Sequence, residues 1–500
     1  MSKTTLKTAS PTPRPKQESL WTRFEDKQSP TNTRPRSRKF RWVVDAVLPL
    51  SLTTVTAIAV LLPGSLPNSA RLALFAFALA VILWSTTSIN AAYVALAAMM
   101  LLILSGGSTQ EQLYQALASD VIWLMIGAFI LGGAVQQTGL ASRLTGLVVA
   151  RARTVGSVFW LLTTMLIPLS FFIRSTSGRA AVVIPVFRSI AQAGDDKRIT
   201  RALALLMPTV ILVATIATLI GAGSHLIAND LLKQIAGVQL SFAQWALYGV
   251  PFAIAASYIS CWVIMRMFLD PGRINRQLKI SSVKQKPLSR AEWTTLLVVA
   301  VMVALWLTES WHGLEIATVT VAGALVLTAP KVGALSWKDG LKAVSWNLII
   351  FVGAALVLGK ALIESGAAQW IIERLFAFSG IASAQSRLLI LVVLTLLSLT
   401  SHIYMTSHTA RAVALVPAML YLASSLQLNP TAVLFISTVG MDYCLTFPVS
   451  SKALLMFQEL EGETYKPSDL LRLSSVLLLV HLGLIVIFYY GYWRWIGLSL

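Results

Sequence analysis

Charged residues are scarce in this sequence. Only 12% of its 500 residues are Asp, Glu, Lys or Arg, whereas 56% are hydrophobic and the mean hydropathy is +0.73. A soluble globular chain carries about 25% charged residues, so this chain has too few polar side chains to cover a surface that faces water. The scarcity argues against a soluble enzyme, a nucleic-acid-binding protein and a disordered scaffold. It predicts an all-α polytopic membrane protein.

Cysteines and membrane carboxylates are also few. The two cysteines, Cys261 and Cys444, lie in apolar segments, which argues against a disulfide framework and a thiolate metal site. The carboxylates of the apolar segments are scattered and not clustered as a metal-dependent membrane enzyme needs: Asp120, Asp230, Glu364 and Asp442. We therefore expect no enzyme, no metal and no cofactor other than a coupling ion, Na⁺ or H⁺. An enzyme acting on a lipid-linked phosphate is the alternative from another class.

Basic residues concentrate in two segments. Residues 1–42 contain eleven Lys and Arg, five prolines and twelve Ser and Thr, a composition typical of a disordered tail. Residues 269–292 form a second basic segment, predicted to be a linker between two halves. Basic segments beside apolar spans stay in the cytoplasm, where they can contact anionic lipid. We predict a cytoplasmic N-terminus in a bacterial inner membrane, with no nucleic-acid partner.

Fifteen apolar stretches qualify, or nearly qualify, as membrane spans, for which about 20 residues are needed. They are 43–62, 70–84, 88–105, 121–140, 155–173, 178–194, 202–221, 243–268, 293–308, 315–330, 344–363, 387–403, 410–426, 431–447 and 473–497. Eight of them separate the two basic segments, an even number, as two cytoplasmic segments require. The fifth and sixth meet at a polar turn, so this pair either crosses twice or enters and returns as a hairpin.

The two halves of the chain share two motifs at nearly the same offset. Leu131–Gly139 resembles Leu358–Gly366 at a shift of 227, and Ser175–Pro185 resembles Ser407–Pro417 at a shift of 232. The shared order predicts a duplication. A first repeat within 43–268 would contain a hairpin over 155–194, and a second within 293–497 a hairpin over 387–426. Five crossings plus one hairpin per half is an odd number, so the repeats would be inverted, as in many secondary transporters.

Each second motif places small hydroxyl residues before an apolar run. Such residues cap helix N-termini, and a helix that begins inside the membrane directs its free N–H groups and positive dipole end at an anion. We predict a substrate site at the two tips, with fixed charge from an arginine in each half: Ser175, Thr176, Ser177, Arg179, Ser407, His408, Thr409 and Arg411. The alternatives are simple helix caps and arginines that snorkel or form salt bridges. Arg174 and Arg188 are interpreted as structural.

A second pair of breaks follows the hairpins. The first runs over 218–225 and the second over 446–452, where Gly and Pro free carbonyls that can coordinate a cation. The candidate cation or proton site comprises Gly221, Gly223, His225, Thr446, Ser450 and Lys452. Lys452 either replaces a bound cation or extends to the interface. His225, His402 and His408 either relay a proton or pack in the core.

These motifs resemble those of the divalent anion:sodium symporter family, within the ion transporter superfamily. The family's Ser-Asn-Thr-Ala tips match Ser175–Gly178 and Ser407–Ala410, and its Ala-Thr-Leu-Ile-Gly break matches Ala217–Gly221. The resemblance implies eleven crossings, two re-entrant hairpins, a homodimer and elevator-type transport of dicarboxylate, citrate or sulfate. Dicarboxylate is favoured over sulfate here. A sodium/proton carrier or an arsenite carrier of the same superfamily is the alternative interpretation.

The chain departs from this family at the residues that would serve sodium. Thr176 and His408 replace the two motif asparagines, and Arg179 and Arg411 occupy positions that are often Thr in relatives. Fixed positive side chains could neutralise an anionic substrate where relatives use bound sodium. The departures therefore favour an exchanger or a proton-coupled carrier.

Overall fold

The computed structural model describes most of the chain from residue 47 onward. The described residues are 47–61, 66–87, 89–141, 143, 146, 151–194, 196–278, 287–370, 386–460 and 464–500. The predicted tail 1–42 and residues 279–286 of the predicted linker lie outside them. Apart from one isolated bridge between Thr154 and Gln277, every regular element in this part of the chain is helical, as predicted.

The first half begins with a helix at the edge of the fold and continues to the basic segment. Its helices are α1 Leu48–Leu61, α2 Asn68–Thr86, α3 Ala91–Leu104, α4 Gln110–Leu117, α5 Asp120–Thr138, α6 Val155–Leu166, α7 Leu169–Phe172, α8 Thr176–Gly194, α9 Lys197–Val213, α10 Gly223–Ala236 and α11 Phe242–Phe268. Two 3₁₀ turns, Thr215–Ala217 and Leu219–Gly221, separate α9 from α10. A short helix, Pro271–Ile274, follows α11.

The second half has nearly the same series of elements. Its helices are α12 Arg290–Leu307, α13 Ile316–Thr328, α14 Trp337–Ala343, α15 Trp346–Glu364, α16 Arg387–Tyr404, α17 His408–Ser425, α18 Pro430–Asp442, α19 Lys452–Gln458 and α20 Pro467–Gly491. A short helix, Glu309–His312, follows α12, a 3₁₀ turn, Pro448–Ser450, precedes α19, and another, Trp493–Ile496, follows α20. From α2 onward the halves correspond element by element, with α6 and α7 together matching α16.

Within the described residues, nine helices are long and apolar enough to cross a membrane, and α1, α3 and α13 are apolar but shorter. This supports a multi-pass membrane protein. Each of the fifteen predicted apolar stretches contains a helix. The sequence interpretation missed four helices, α4, α10, α14 and α19, because each is short and mixes polar with apolar residues.

Helix ends in both halves follow local sequence rules. The helix α9 begins after Asp196, whose carboxylate accepts the N–H groups of Arg198 and Ile199, and α18 begins after Asn429 in the same way. The helix α10 ends at Gly237, which has φ of 69°, a conformation that suits glycine. These signals fix where each helix stops and the adjoining breaks begin.

The two halves interlock around the breaks. The helix α8, which follows the first tip, packs against α19, which follows the second break. In the same way α17, which follows the second tip, packs against α10, which follows the first break. Each tip therefore sits beside an element of the other half, and the predicted site residues of both halves are brought into one region.

Candidate functional site: two helix tips and two breaks

The two tips have the same local geometry. In the first, Ser175 Oγ accepts the N–H of Gly178 at 3.2 Å and lies 2.8 Å from Ser177 Oγ. In the second, Ser407 Oγ accepts the N–H of Ala410 at 3.3 Å and lies 3.2 Å from Thr409 Oγ1. The six predicted tip residues are half-buried: Ser175, Thr176, Ser177, Ser407, His408 and Thr409. The tips are thus capped helix N-termini that keep access to their surroundings.

Arg179 points away from its own tip and into the first break. Its side chain is fully buried, and its Nη1 donates to the carbonyl of Ile211 at 3.1 Å. Its Nη2 donates to Thr215 Oγ1 at 2.9 Å and to the carbonyl of Gly221 at 3.2 Å. The guanidinium therefore joins the end of α9 to the first break through three oxygen acceptors.

Arg411 occupies the matching place in the second half. It is also fully buried, and it donates from Nη1 to the carbonyl of Met405 and from Nη2 to that of Met441, both at 3.1 Å. Its Nη2 also contacts the sulfur of Cys444, so this cysteine is an acceptor just before the second break and not only a packing residue. Neither arginine forms a salt bridge within the described residues. Their ligands are carbonyl, hydroxyl and sulfur atoms.

Other side chains satisfy the remaining carbonyls of the first break. Trp245 Nε1 on α11 donates to the carbonyl of Ile216 at 3.0 Å, and His225 Nδ1 lies 3.0 Å from the carbonyl of Thr218. Gly249 allows this close packing. If its hydrogen were replaced by a Cβ, that carbon would lie 2.1 Å from the carbonyl oxygen of Ile216. Trp245 carries no sequence signal that distinguishes it from an ordinary core tryptophan.

His225 also links the two halves. Its Nε2 lies 2.8 Å from Asp442 Oδ2, and both side chains are buried. Both ring nitrogens face oxygen atoms. The Nδ1–H group donates to the Thr218 carbonyl, and a second proton must lie between Nε2 and Asp442 Oδ2, on either the ring or the carboxyl group. Asp442 Oδ1 has no hydrogen-bond partner in the described part of the chain. The pair is therefore a buried proton-holding group at the join of the repeats.

The remaining predicted cation-site residues are spread over different surroundings. Thr446 Oγ1 lies 2.6 Å from His402 Nε2 and 2.8 Å from Ser474 Oγ, and Ser450 is buried. Lys452 is exposed at the start of α19. Its position suits an interfacial charge more than a replacement for a buried cation. The structure thus places Gly221 and His225 inside the first break, whereas the Lys452 side chain is exposed at the end of the second break.

Gly223, the first residue of α10, lies between the segment that precedes the first tip and the second tip. A methyl group on Gly223 would lie 3.1 Å from Arg174 Nη2, 3.3 Å from Leu348 Cδ2 and 3.5 Å from Thr409 Cγ2. Arg174, the second tip and the first break therefore border one notch. Arg174, for which the sequence predicts a structural role, is the charged side chain nearest to a Cβ built on Gly223. Arg188, interpreted in the same way, is exposed on α8.

Two cavities open elsewhere on the molecule. One, of about 190 Å³, is lined in part by Asp120, Glu309 and Glu315, whose negative charges disfavour an anion. The other, of about 300 Å³, is lined in part by Asp230 and Glu364. Neither lining includes a tip residue.

Comparison with known proteins decides the family. The family described as "Sodium:sulfate symporter transmembrane region" matches residues 44–499. This chain belongs to that family. Its relatives are transporters and not enzymes, which confirms that prediction.

Named relatives of this symporter-family chain include carriers of dicarboxylates. It is 25% identical to the "Sodium-dependent dicarboxylate transporter SdcS" of Staphylococcus saprophyticus, over 74% of this chain and 76% of the relative. It is 22% identical to the "Citrate/succinate antiporter" of Escherichia coli K12, over 74% of this chain and 78% of the relative. A "Membrane protein" of Cupriavidus necator is 25% identical over 78% of each chain.

A solved structure supports the fold. The YdaH transporter of Alcanivorax borkumensis aligns with a TM-score of 0.54 and 14% identity, over 87% of this chain and all of that one. This likeness supports a transporter architecture for the symporter-family chain and carries no information on its substrate.

Proposed function

We propose that this protein is a secondary active transporter of a small divalent anion, with dicarboxylate favoured over sulfate. Two observations support a dicarboxylate. Both tips present capped helix N-termini, which favour negative charge, and named relatives carry dicarboxylates or exchange citrate for succinate. The substrate would lie between Ser175–Ser177 and Ser407–Thr409.

The transport cycle would not need sodium. The observation that carries this proposal is the pair of buried guanidinium groups beside the breaks. Arg179 donates to the carbonyls of Ile211, near the end of α9, and of Gly221 in the first break, and Arg411 donates to the carbonyl of Met441, near the end of α18. Loop carbonyls at such breaks are the groups that hold coupling cations in other carriers. A fixed positive charge beside each break would neutralise the substrate's charge without a bound ion. Exchange of one anion for another follows as the natural mode.

Proton coupling is the second candidate mode. The buried pair of His225 and Asp442 supports it, because the pair holds a proton at the join between the repeats. A carrier of this kind would take up a proton when the join faces one side and release it when the join faces the other. The pair does not favour a sodium/proton or arsenite carrier, because the tips with their arginines suit an anion.

The remaining architecture is proposed by family analogy. We expect eleven crossings, two re-entrant hairpins formed by α6–α8 and α16–α17, a homodimer and elevator-type movement. The cytoplasmic N-terminus in a bacterial inner membrane rests on the basic segments at 1–42 and 269–292.

The test is exchange by purified protein in liposomes. Labelled succinate is supplied outside, and the vesicles contain succinate, citrate, sulfate or no anion. We expect rapid uptake with internal dicarboxylate and little with empty vesicles. Uptake that occurs only with internal sulfate would indicate that sulfate, and not a dicarboxylate, is the preferred substrate. Absence of exchange with every internal anion, from protein that remains monodisperse, would contradict the proposal.

A further inference from the structure

Arg174 is a buried arginine whose position in the site is unlike those of Arg179 and Arg411. It immediately precedes the first tip, and only 4% of the residue is exposed. Its Nη1 donates to the carbonyl of Met125 at 3.2 Å, and its guanidinium carbon lies 4.4 Å from the centre of the Phe129 ring. Both partners lie on α5. The guanidinium is therefore held in place along one side.

The other side of this guanidinium is unpaired. Its Nε and Nη2 have no hydrogen-bond partner among the residues that the structure describes, whereas Arg179 and Arg411 each lack a partner only at Nε. The N–H groups of Nε and Nη2 point from the same edge of the guanidinium, and this edge forms two parallel hydrogen bonds with a carboxylate. A buried cation without a counter-charge is costly, and an anion on that edge removes the cost.

The unpaired edge lies beside Gly223, at the notch between the segment before the first tip and the second tip. A Cβ on Gly223 would lie 3.1 Å from Arg174 Nη2 and 3.5 Å from Thr409 Cγ2, so glycine is the residue that lets these side chains approach each other. The helix α10 begins at Gly223 with no side-chain cap, so its positive end faces the same notch. Ser224 Oγ, in the next residue, is buried and also lacks a partner within the described segments. Leu348 Cδ2, 3.3 Å from the same Cβ position, forms an apolar wall of the notch. The unpaired edge of Arg174, the start of α10 and the Ser224 hydroxyl are the groups there that favour an anion.

The notch breaks the two-fold relation between the halves. The residue that corresponds to Arg174, at the shift of 232, is Thr406, which carries no charge and is exposed. One guanidinium fork therefore faces a site built from two otherwise similar tips. A single fork suits one end of an elongated dianion, and the second tip offers hydroxyl and amide donors to the other end.

We propose that Arg174 binds one carboxylate of the substrate through Nε and Nη2, and so fixes which end of a dicarboxylate faces the first tip. This inference rests on the proposed dicarboxylate transport. It separates two roles for the buried arginines: Arg179 and Arg411 hold the breaks in place of a cation, and Arg174 binds the substrate.

The experiment measures binding by the full-length protein in detergent, as ligand-dependent thermal stabilisation, for succinate and for succinamate, which keeps only one carboxylate. Wild type, Arg174→Gln, Arg174→Lys and the matched control Arg188→Gln are compared. The control removes the same charge from the exposed part of α8. For Arg174→Gln we expect succinate affinity to fall about 10- to 100-fold, the loss of a charge-assisted fork. The preference for succinate over succinamate should shrink with it, because the remaining carboxylate can then use the second tip.

Arg174→Lys should recover part of the affinity but not the preference, because an ammonium provides charge without the fork. Arg188→Gln should bind both ligands as wild type does. The inference is overturned if Arg174→Gln, or Arg174→Lys when the Gln variant does not fold, keeps both the wild-type affinity and the wild-type preference. A wild type that is stabilised by no dicarboxylate contradicts the proposed function instead, and the two failures are therefore distinguishable.

Discussion

The two halves of this protein are alike in the buried arginine that donates to backbone carbonyls of its own half, and unlike in the charge that precedes each tip. Arg179 and Arg411 correspond, are fully buried, and donate to carbonyl oxygens near the end of the helix that precedes the break in each half, those of Ile211 and Met441. Arg174 and Thr406 also correspond, but only the first is charged. The duplicated scaffold therefore places a fixed charge beside both breaks, whereas the charge beside Gly223 belongs to one half alone, and the proposed recognition of the substrate rests on that difference.

The largest effect should come from removing the shared arginines. Arg179→Ala and Arg411→Ala would each leave buried oxygens without donors, and we expect losses of about 3–5 kcal/mol in the free energy of unfolding, with loss of transport. Unfolding in detergent and exchange in liposomes measure the two effects. Because the sites correspond, the two variants should behave alike, and a large loss in only one of them would break the comparison.

The contact between the halves should come next. His225→Leu would leave Asp442 Oδ2 and the Thr218 carbonyl unpaired, at a cost of about 2–3 kcal/mol in the free energy of unfolding. A double-mutant cycle with Asp442→Leu should give a coupling energy of about 1–3 kcal/mol. His481→Leu is the control, because the structure gives this buried histidine a backbone partner on its own helix. Additive effects of the His225 and Asp442 variants would show that the two side chains do not interact, and would contradict a contact between the halves at this pair.

Filling the notch should affect binding more than stability. Gly223→Val would place methyl groups against Arg174 and Thr409, and we expect succinate affinity to fall at least about tenfold. Gly483→Ala, on α20, is the control, since no atom lies within 4 Å of the added Cβ there. It should bind normally and gain about 0.5–1 kcal/mol in stability. Normal affinity in Gly223→Val would place the substrate elsewhere.

The smallest effect concerns two matched helix caps outside the membrane-spanning segments. Burial alone would raise the pKa of Asp196, but hydrogen bonds from the Arg273 side chain and two backbone N–H groups lower it overall. The second half has the neutral Asn429 at the same place. A lowered carboxyl pKa contributes stability above about pH 5 that is lost as the pH falls below the ordinary value of about 3.9.

Asp196→Asn keeps the cap and removes this titration. We expect a loss below about 1 kcal/mol at neutral pH, because the ion pair lies at the surface, is only partly buried and is screened by salt. The difference from wild type should vanish at low pH. Unfolding measured from pH 3 to pH 7 tests this, and a difference that grows on acidification would contradict the sign.

Much of the scaffold could be predicted from the sequence, because membrane helices are recognisable by apolar length alone. Each predicted stretch contains a helix, and the repeated motifs predicted that Ser175 and Ser407 would open corresponding helices. The helix α10 was missed because His225 and Asp230 lower its apolar character, although it is largely buried between the halves.

The roles of the arginines could not be predicted in the same way. Sequence spacing placed Arg179 and Arg411 beside the tips, but an arginine side chain is long enough to reach either the substrate or a neighbouring break. The acceptors of Arg179, from Ile211 to Gly221, belong to a segment more than thirty residues away. Arg174 looked structural because nothing in the sequence shows that one edge of its guanidinium is unpaired.

The central claim is that guanidinium groups replace a coupling cation, and uptake against sodium concentration tests it most directly. Liposomes that contain unlabelled succinate would be diluted into labelled succinate with choline, or with sodium raised stepwise at constant ionic strength and pH. The account predicts that the initial exchange rate is the same at every sodium concentration, including none. A rate that is negligible in choline and saturates with added sodium would contradict it.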